Sequence, residues 1–402
     1  MTDHETGEGP LAGLRVVEFA QVIAGPLAGT LLADLGAQVV HVEAPGTGDE
    51  ARRMGPTKAG HGLWWKVLAR NKRSVTLDLR RDEARPVVEK LVRWADVVIV
   101  TFRAKSAERF ALDWESIRRV NPGAILLQIT GYGASTSRRD EPGFGKMGEA
   151  RSGVVHLTGF PDGPPVHTGF SHADSVTGLM GAFAVMAALH RRSQDPERLG
   201  EWIDLALSDA LFRLIEWQTI LYDQLGVVPN RAGNRLAVAP GAVINTYQSA
   251  DGQWITVTSA TVKSVANIAI MLGLSDGDYT TAEQQEARRD ELDAVLGTWI
   301  ASKSTDDALK AMIDADVVAA QVFDIADIFN DDVYRERESI VSIDDEDLGP
   351  VRMQDVVPRL YRNRGRVWRT GAGLGVDTDH VFKDWLGMSS DTIDELRGEG
   401  VV

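Results

Sequence analysis

The stretch LRVVEFAQVIAGPLAGTLLADLGAQVVHVEAP, Leu14 to Pro45, decides the fold. Leu14–Ala20 is a short apolar run with β-branched residues and reads as a buried strand. In AGPLAGTLLADLGA a Gly-Pro pair opens a 3.6-residue apolar pattern that Gly36 closes, the punctuation of a helix. Gln38–Pro45 is strand-like again. Strand, helix and strand in so short a span form the unit of a parallel α/β sheet. The pattern continues through RSVTLDL, a helix over Glu83–Trp94, ADVVIV, AILLQIT and EWIDLAL.

At 402 residues the chain exceeds one ordinary core, so two domains are expected. After residue 225 the composition shifts to Gly, Pro and Asn turns, with a hairpin expected across Asp251-Gly252 and helices over roughly 263–330. Residues 226–330 therefore read as a small α+β domain. Residues 331–402 return to strands and loops and end in a helix over Asp391–Gly398. The expectation is a large α/β domain of residues 1–225 and 331–402, with a Rossmann-like parallel sheet built from both parts.

Composition narrows the function classes. With 44% hydrophobic and 25% charged residues the chain has the make-up of a soluble globular protein. No run of 18 apolar residues occurs, so no membrane span is expected. The polar start lacks the features of a signal peptide and reads as a short disordered tail, and the absence of cysteine fits a reducing cytoplasm. Without cysteine there is no disulfide, no thiolate metal site and no Cys nucleophile. The histidines are dispersed, so no metal is expected, and no GxSxG elbow signals a serine hydrolase. A net charge of −15 argues against nucleic acid or an anionic membrane as partner. Residues 51–120 nevertheless hold 17 Lys/Arg against 8 Asp/Glu. Arg70, Lys72, Arg73, Arg80 and Arg81 bracket one strand there, as an anion site or as a solvated basic face.

Two motifs carry chemistry. Gly25–Gly29, GPLAG, is either a tight turn or a set of backbone N–H groups for phosphate or an oxyanion; it lacks GxGxxG and P-loop spacing. In GFSHADSVTGLMGAFAVMAALHRR, Gly169 to Arg192, Asp174 stands before a long apolar helix. It is either an N-cap or a nucleophile that the helix N-terminus keeps ionised. Trp64, Trp65, Phe144 and His172 are candidates for an acyl pocket or for ordinary packing.

Taken together, LAGLRVVEFAQVIAGPLAGTLLADLGAQVVHVEAPGTGDEARR, NKRSVTLDL, ADVVIVTFR, VNPGAILLQITGYG, GPPVHTGFSHADSVTG, GEWIDLALSDALF, RAGN and ADGQWITV resemble, in order and spacing, the class III coenzyme A transferases. The resemblance covers nearly the whole chain. It implies an interlocked-ring homodimer, coenzyme A and acyl-CoA as substrates without a resident cofactor, and Asp174, in ADSVTG, as the catalytic nucleophile. It maps coenzyme A contacts to Val22 and Ile23, to Leu77–Arg80, to Thr101, Phe102 and Arg103, and to Arg109. Backbone donors for an oxyanion would come from Gly25-Pro26 or Pro240-Gly241. The chain departs from the family at Thr101, often Asn, and at Phe144-Gly145, where many members carry an aromatic–acid pair; Glu149 is a substitute for that acid. The related α-methylacyl-CoA racemases need a His-Asp pair at Phe144-Gly145, and Phe144 cannot serve as a base. A racemase and a coenzyme A-binding protein without catalysis are the alternatives to a transferase.

Overall fold

The computed structural model describes residues 8–236, 238–274 and 277–402. Six strands form one parallel sheet: β1 (Arg15–Phe19), β2 (Gln38–Glu43), β3 (Lys72–Thr76), β4 (Val97–Val100), β5 (Ile125–Thr130) and β6 (Trp202–Ala206). Their order is 3-2-1-4-5-6, that of doubly wound dinucleotide-binding sheets, with the switch point between β1 and β4. Period-two alternation sends Val17, Val40, Val75, Val98 and Leu126 to one face. Val16, Val39, Val97, Ile125 and Leu127 go to the other. The first face is covered by α2 (Arg85–Trp94), through Val87, Val88, Leu91 and Val92. On the second lie α1 (Ala24–Asp34) and α5 (His172–Gln194).

The expectation of a sheet drawn from both ends of the chain is corrected here. All six strands come from residues 15–206. The C-terminal part adds an antiparallel hairpin, β10 (Ile340–Asp345) with β11 (Gly349–Gln354), and a terminal helix, Ser390–Gly398. Its apolar side chains Val381, Phe382, Ile393, Leu396 and Val401 cover the first face of the sheet instead of extending it.

The chain divides into two compact units. The first comprises residues up to 154, 168–216 and from 335 onward; the second comprises 155–167 and 217–334. In the second unit β7 (Val243–Gln248) and β8 (Trp254–Ser259) make the hairpin expected at Asp251-Gly252, with Gly252 at φ +85°. β9 (Ala319–Gln321) completes that sheet, and Val265, Ile268, Leu292, Leu296 and Met312 from its helices form the core with Ile255 and Val257.

The long helix α5 is apolar and long enough, by length and composition, to cross a bilayer, a feature the sequence reading did not expect. Here it lies across the sheet, with Ala182 and Val185 in the core. Gly178 lets it approach α1, since a Cβ there would sit 2.8 Å from the Ala24 carbonyl oxygen.

The basic segment resolves into internal ion pairs, neither an anion site nor a solvated face at Arg70, Lys72 and Arg73. Arg70 grips Asp34 of α1 through Nε (3.0 Å) and Nη2 (2.5 Å). Lys72 Nζ donates to Glu18 Oε1 and to the Pro26 carbonyl, both at 2.6 Å. Arg73 pairs with Asp377 at 3.1 Å, and Lys66 with Asp345 (2.9 Å) and Asp347 (2.7 Å) of the C-terminal part. Glu18 Oε1 also meets His41 Nδ1 at 2.6 Å, and His41 Nε2 lies 3.3 Å from Asp49 Oδ2. Burial alone would push the His41 imidazole down, but the Glu18 and Asp49 carboxylates outweigh it and lift it from 6.5 to about 9.

Removing one partner of such a buried set strands the other charges, at about 3–5 kcal/mol. Glu18→Gln should therefore lower the unfolding free energy at pH 7 by that amount in denaturant titration; a loss within the range of surface substitutions would refute the assignment. Because His41 gains affinity for its proton on folding, its contribution is complete below pH 6.5 and is lost as pH rises through about 9. Across that window the wild type should lose stability relative to His41→Gln by about 1.4 kcal/mol per pH unit.

Candidate active site

Val22 and Ile23, Leu77–Arg80 and Thr101–Arg103 follow the carboxyl ends of β1, β3 and β4, where open α/β sheets take their ligands. After β1 the chain turns through Gln21, Val22 and Ile23 into α1. Val22 is held at φ +67°, a left-handed conformation that costs a β-branched residue on the order of 1–3 kcal/mol. The hold is explicit: its N–H donates to both oxygens of Asp49, at 3.0 and 3.1 Å. Asp49 is itself buried against His41, so the charge network of the core sets the backbone of this turn. Ile23 takes the N-cap position of α1 and no side chain caps the helix start. That leaves the first N–H groups of α1 without an intrahelical acceptor. Thr101, after β4, accepts from the Gln21 N–H at 3.1 Å. A Cβ on Gly25 would meet the Thr101 methyl at 2.6 Å, so the hydroxyl and methyl of Thr101 shape the turn from below.

Leu77, after β3, is buried, and Arg80 is exposed and paired to Asp78 at 2.8 Å. Phe102 packs edge-on against Phe110 at 5.4 Å. Arg103 begins α3 (Ala104–Arg109) and Arg109 ends it, its guanidinium 5.7 Å from the Phe110 ring centre. Arg80 and Arg109 line one small cavity of about 70 Å³ together with Leu79, Arg81, Arg85 and Phe110. Asp82 lines it too; Arg80 is held by Asp78, Arg81 Nη2 donates to the Glu399 carbonyl and Arg85 Nη2 to the Arg109 carbonyl. Arg81 was among the residues read from sequence as an anion site or a solvated basic face; Arg85 was not singled out, and only the density of charge in RRDEARP could have marked it.

Asp174 is not the N-cap of α5. The helix begins at His172, Ser171 holds the cap position without a side-chain hydrogen bond, and Asp174 lies in the first turn. The capping explanation thereby falls away. The carboxylate abuts α4 (Gly145–Arg151): a Cβ on Gly145 would stand 1.9 Å from Asp174 Oδ2. Burial, and then the charge of Glu149, raise Asp174 from 3.8 to about 6, against smaller opposing pulls from its own backbone N–H and from Lys146. The helix N-terminus was expected to hold it low, and desolvation overrides that.

The aromatic candidates separate. Trp65 is buried, donates to the Ala372 carbonyl at 2.9 Å and carries Arg52 over its ring at 3.9 Å, so it is a structural residue. Trp64 packs partly buried beside it. Phe144 is 72% exposed, at the entrance to α4. The His172 ring lies 5.2 Å from Phe170, and its buried Nδ1 has no hydrogen-bond partner among the described residues. Pro240-Gly241 belongs to the second unit. Among the described residues no cluster of His, Asp and Glu could hold a metal ion.

This arrangement combines a half-buried carboxylate with raised basicity, a turn with unpaired N–H groups and a cationic cavity at one end of the sheet. The sequence profile "CoA-transferase family III" matches residues 11–378. The succinyl-CoA–D-citramalate CoA-transferase of Chloroflexus aurantiacus is 35% identical over 98% of both chains. The succinate–glutarate CoA-transferase of Agrobacterium fabrum is 34% identical over 86% of this chain and 88% of its own. Among solved structures, a CAIB/BAIF family protein from Brucella suis superimposes with a TM-score of 0.82 at 30% identity, over 94% of this chain and all of its own.

An acid with a raised folded-state pKa keeps its proton longer when folded, so the wild type loses stability as pH climbs from 3.8 through about 6. Asp174→Asn should therefore melt higher than wild type at pH 7 and at the same temperature below pH 3.8. Equal melting temperatures at pH 7 would show that the carboxylate is not held under electrostatic stress.

Proposed function

The chain belongs to CoA-transferase family III and is an enzyme that moves coenzyme A between an acyl-CoA and a carboxylic acid; we propose that Asp174 carries the transfer covalently. An ionised carboxylate needs no base to become a nucleophile. Asp174 attacks the donor thioester carbonyl, the C–S bond breaks, and a mixed anhydride and coenzyme A thiolate result. The thiolate attacks the aspartyl carbonyl, expelling the donor acid and leaving an aspartyl-CoA thioester. The acceptor carboxylate then attacks that thioester, and the released thiolate takes the acceptor's acyl carbon, restoring Asp174. Each addition builds a tetrahedral oxyanion, for which the uncapped N–H groups at the start of α1 are suitable donors. The observation that carries this reading is the half-buried Asp174 carboxylate with basicity raised to about 6.

The remaining assignments follow from the same chemistry. Coenzyme A carries several phosphate charges, and the cavity of Arg80, Arg81, Arg85 and Arg109 offers them charge-assisted hydrogen bonds. Val22, Ile23, Leu77, Thr101, Phe102 and Arg103 lie on the same strand ends and complete the proposed binding track. The relatives named for succinyl-CoA, citramalate and glutarate favour succinyl-CoA as donor and a short dicarboxylic acid as acceptor. A homodimer is supported by the apolar residues that α5 turns outward, Leu179, Phe183 and Met186, beside the exposed Phe212 and Leu214. The absence of cysteine fits a reducing cytoplasm as the site of action.

Asp174→Ala should retain the fold and lose transfer from succinyl-CoA to dicarboxylic acids. Interrupted turnover of the wild type should leave a coenzyme A adduct on the peptide containing HADSV, seen by mass spectrometry. Undiminished turnover in the folded variant would overturn the mechanism. Sedimentation should find a dimer at every concentration that retains activity, and an active monomer would remove the assembly proposed here.

A further inference from the structure

We propose that Glu149 and Lys146 of α4 are positioning residues for Asp174; this rests on Asp174 being the nucleophile. Residues 145 and 149 are four apart and share a helix face. At 145 there is no room for an acid, because even a Cβ would stand 1.9 Å from Asp174 Oδ2. Glu149 reaches the same neighbourhood from the next turn, where it is 1% exposed. A buried carboxylate beside a second one needs a counter-charge, and Lys146 provides it. Its Nζ donates to both Glu149 oxygens, at 2.9 and 3.0 Å. The same ammonium donates to the carbonyl oxygens of Thr168 and Phe170, each at 3.0 Å. One cation thus ties α4 to the segment that leads into α5, and so fixes where Asp174 stands.

The pair also tunes reactivity. Glu149 disfavours the Asp174 anion and Lys146 favours it. When Asp174 becomes acylated its charge disappears, and the repulsion from Glu149 is relieved on the way to the intermediate. The other titratable groups on elements packed against α5 are few. α1 offers only Asp34, which is engaged by Arg70, and β5 has none. Asp204 of β6 accepts from the Ala134 and Ser135 N–H groups, and Asp209 lies on the helix after β6, Leu207–Phe212. His172 shares the first turn of α5. Arg151 of α4 stacks over Tyr132 instead.

Glu149→Gln, Lys146→Met and Lys146→Arg, made in the full chain, test this through kcat, KM and the pH dependence of transfer from succinyl-CoA. Glu149→Gln should lower kcat roughly tenfold with little change in KM and move the acid limb of the profile to lower pH. Lys146→Met should move that limb to higher pH, and Lys146→Arg should restore it. A purely structural role would not shift the limb in opposite directions. The proposal is overturned if folded Glu149→Gln keeps the wild-type kcat and profile, or if both neutralised variants shift the limb the same way. Should Glu149→Gln not fold, Lys146→Met and Lys146→Arg decide together: a limb that does not move in folded Lys146→Met, or that Lys146→Arg does not restore, overturns the proposal. Transfer that survives Asp174→Ala would instead refute the nucleophile itself; loss of transfer there with an unchanged Glu149→Gln profile refutes only the positioning role.

Discussion

Three buried cations in and beside β3 hold the first unit together. Arg70, Lys72 and Arg73 are each less than a tenth exposed, and each finds its anion on a different piece of chain: Asp34 at the end of α1, Glu18 in β1 and Asp377 near the C-terminus. None of these charges can be buried alone without a penalty of several kcal/mol. The first strand–helix–strand unit, β3 and the C-terminal part must therefore assemble as a set. Asn71, between the cations, adds a bond to Asp34 at 2.8 Å and another to the Arg366 carbonyl at 2.9 Å. Hydrophobic faces bring the layers together, and this polar seam fixes their register.

The seam continues into the site. Lys72 and His41 share Glu18, His41 faces Asp49, and Asp49 fastens the strained Val22. A chain of charge thus runs from the core under α1 to the turn at the carboxyl end of β1. The turn stays in its left-handed conformation because releasing it would leave the Asp49 oxygens short of the N–H donors that a buried carboxylate requires. Pre-organisation at the ligand end of the sheet is in this way a consequence of core electrostatics.

Local periodicity made the parallel sheet legible, because each buried strand announces itself within five or six residues. The hairpin at Asp251-Gly252 and the helix at the C-terminus were legible for the same reason. The basic surplus of residues 51–120 was not, since charge counts carry no information about partners some 300 residues away, such as Asp377 for Arg73. The same distance hid the place of the C-terminal part, whose apolar residues cover the sheet without joining it. At the site, ADSVTG identified Asp174 through resemblance, but its position relative to the helix start was off by enough to suggest a cap. Glu149 could be suspected from the missing acid at Gly145. Lys146 gave no signal, because its role depends on two backbone carbonyls in a distant loop.

The nucleophilic role proposed for Asp174 places opposed demands on a carboxylate. It must be ionised when substrate arrives, yet an anion too well stabilised by hydrogen bonds is a poor nucleophile. A capping role would have given Asp174 strong N–H donors and driven its basicity down. The structure takes the other course, placing Asp174 inside the first turn, against the bare backbone of Gly145 and within the field of Glu149. Raised to about 6, it is still mostly ionised at pH 7, while its basicity exceeds that of an ordinary aspartate. Glycine at 145 is what permits this. A Cβ there would stand 1.9 Å from Asp174 Oδ2, so any side chain would force the carboxylate from its place.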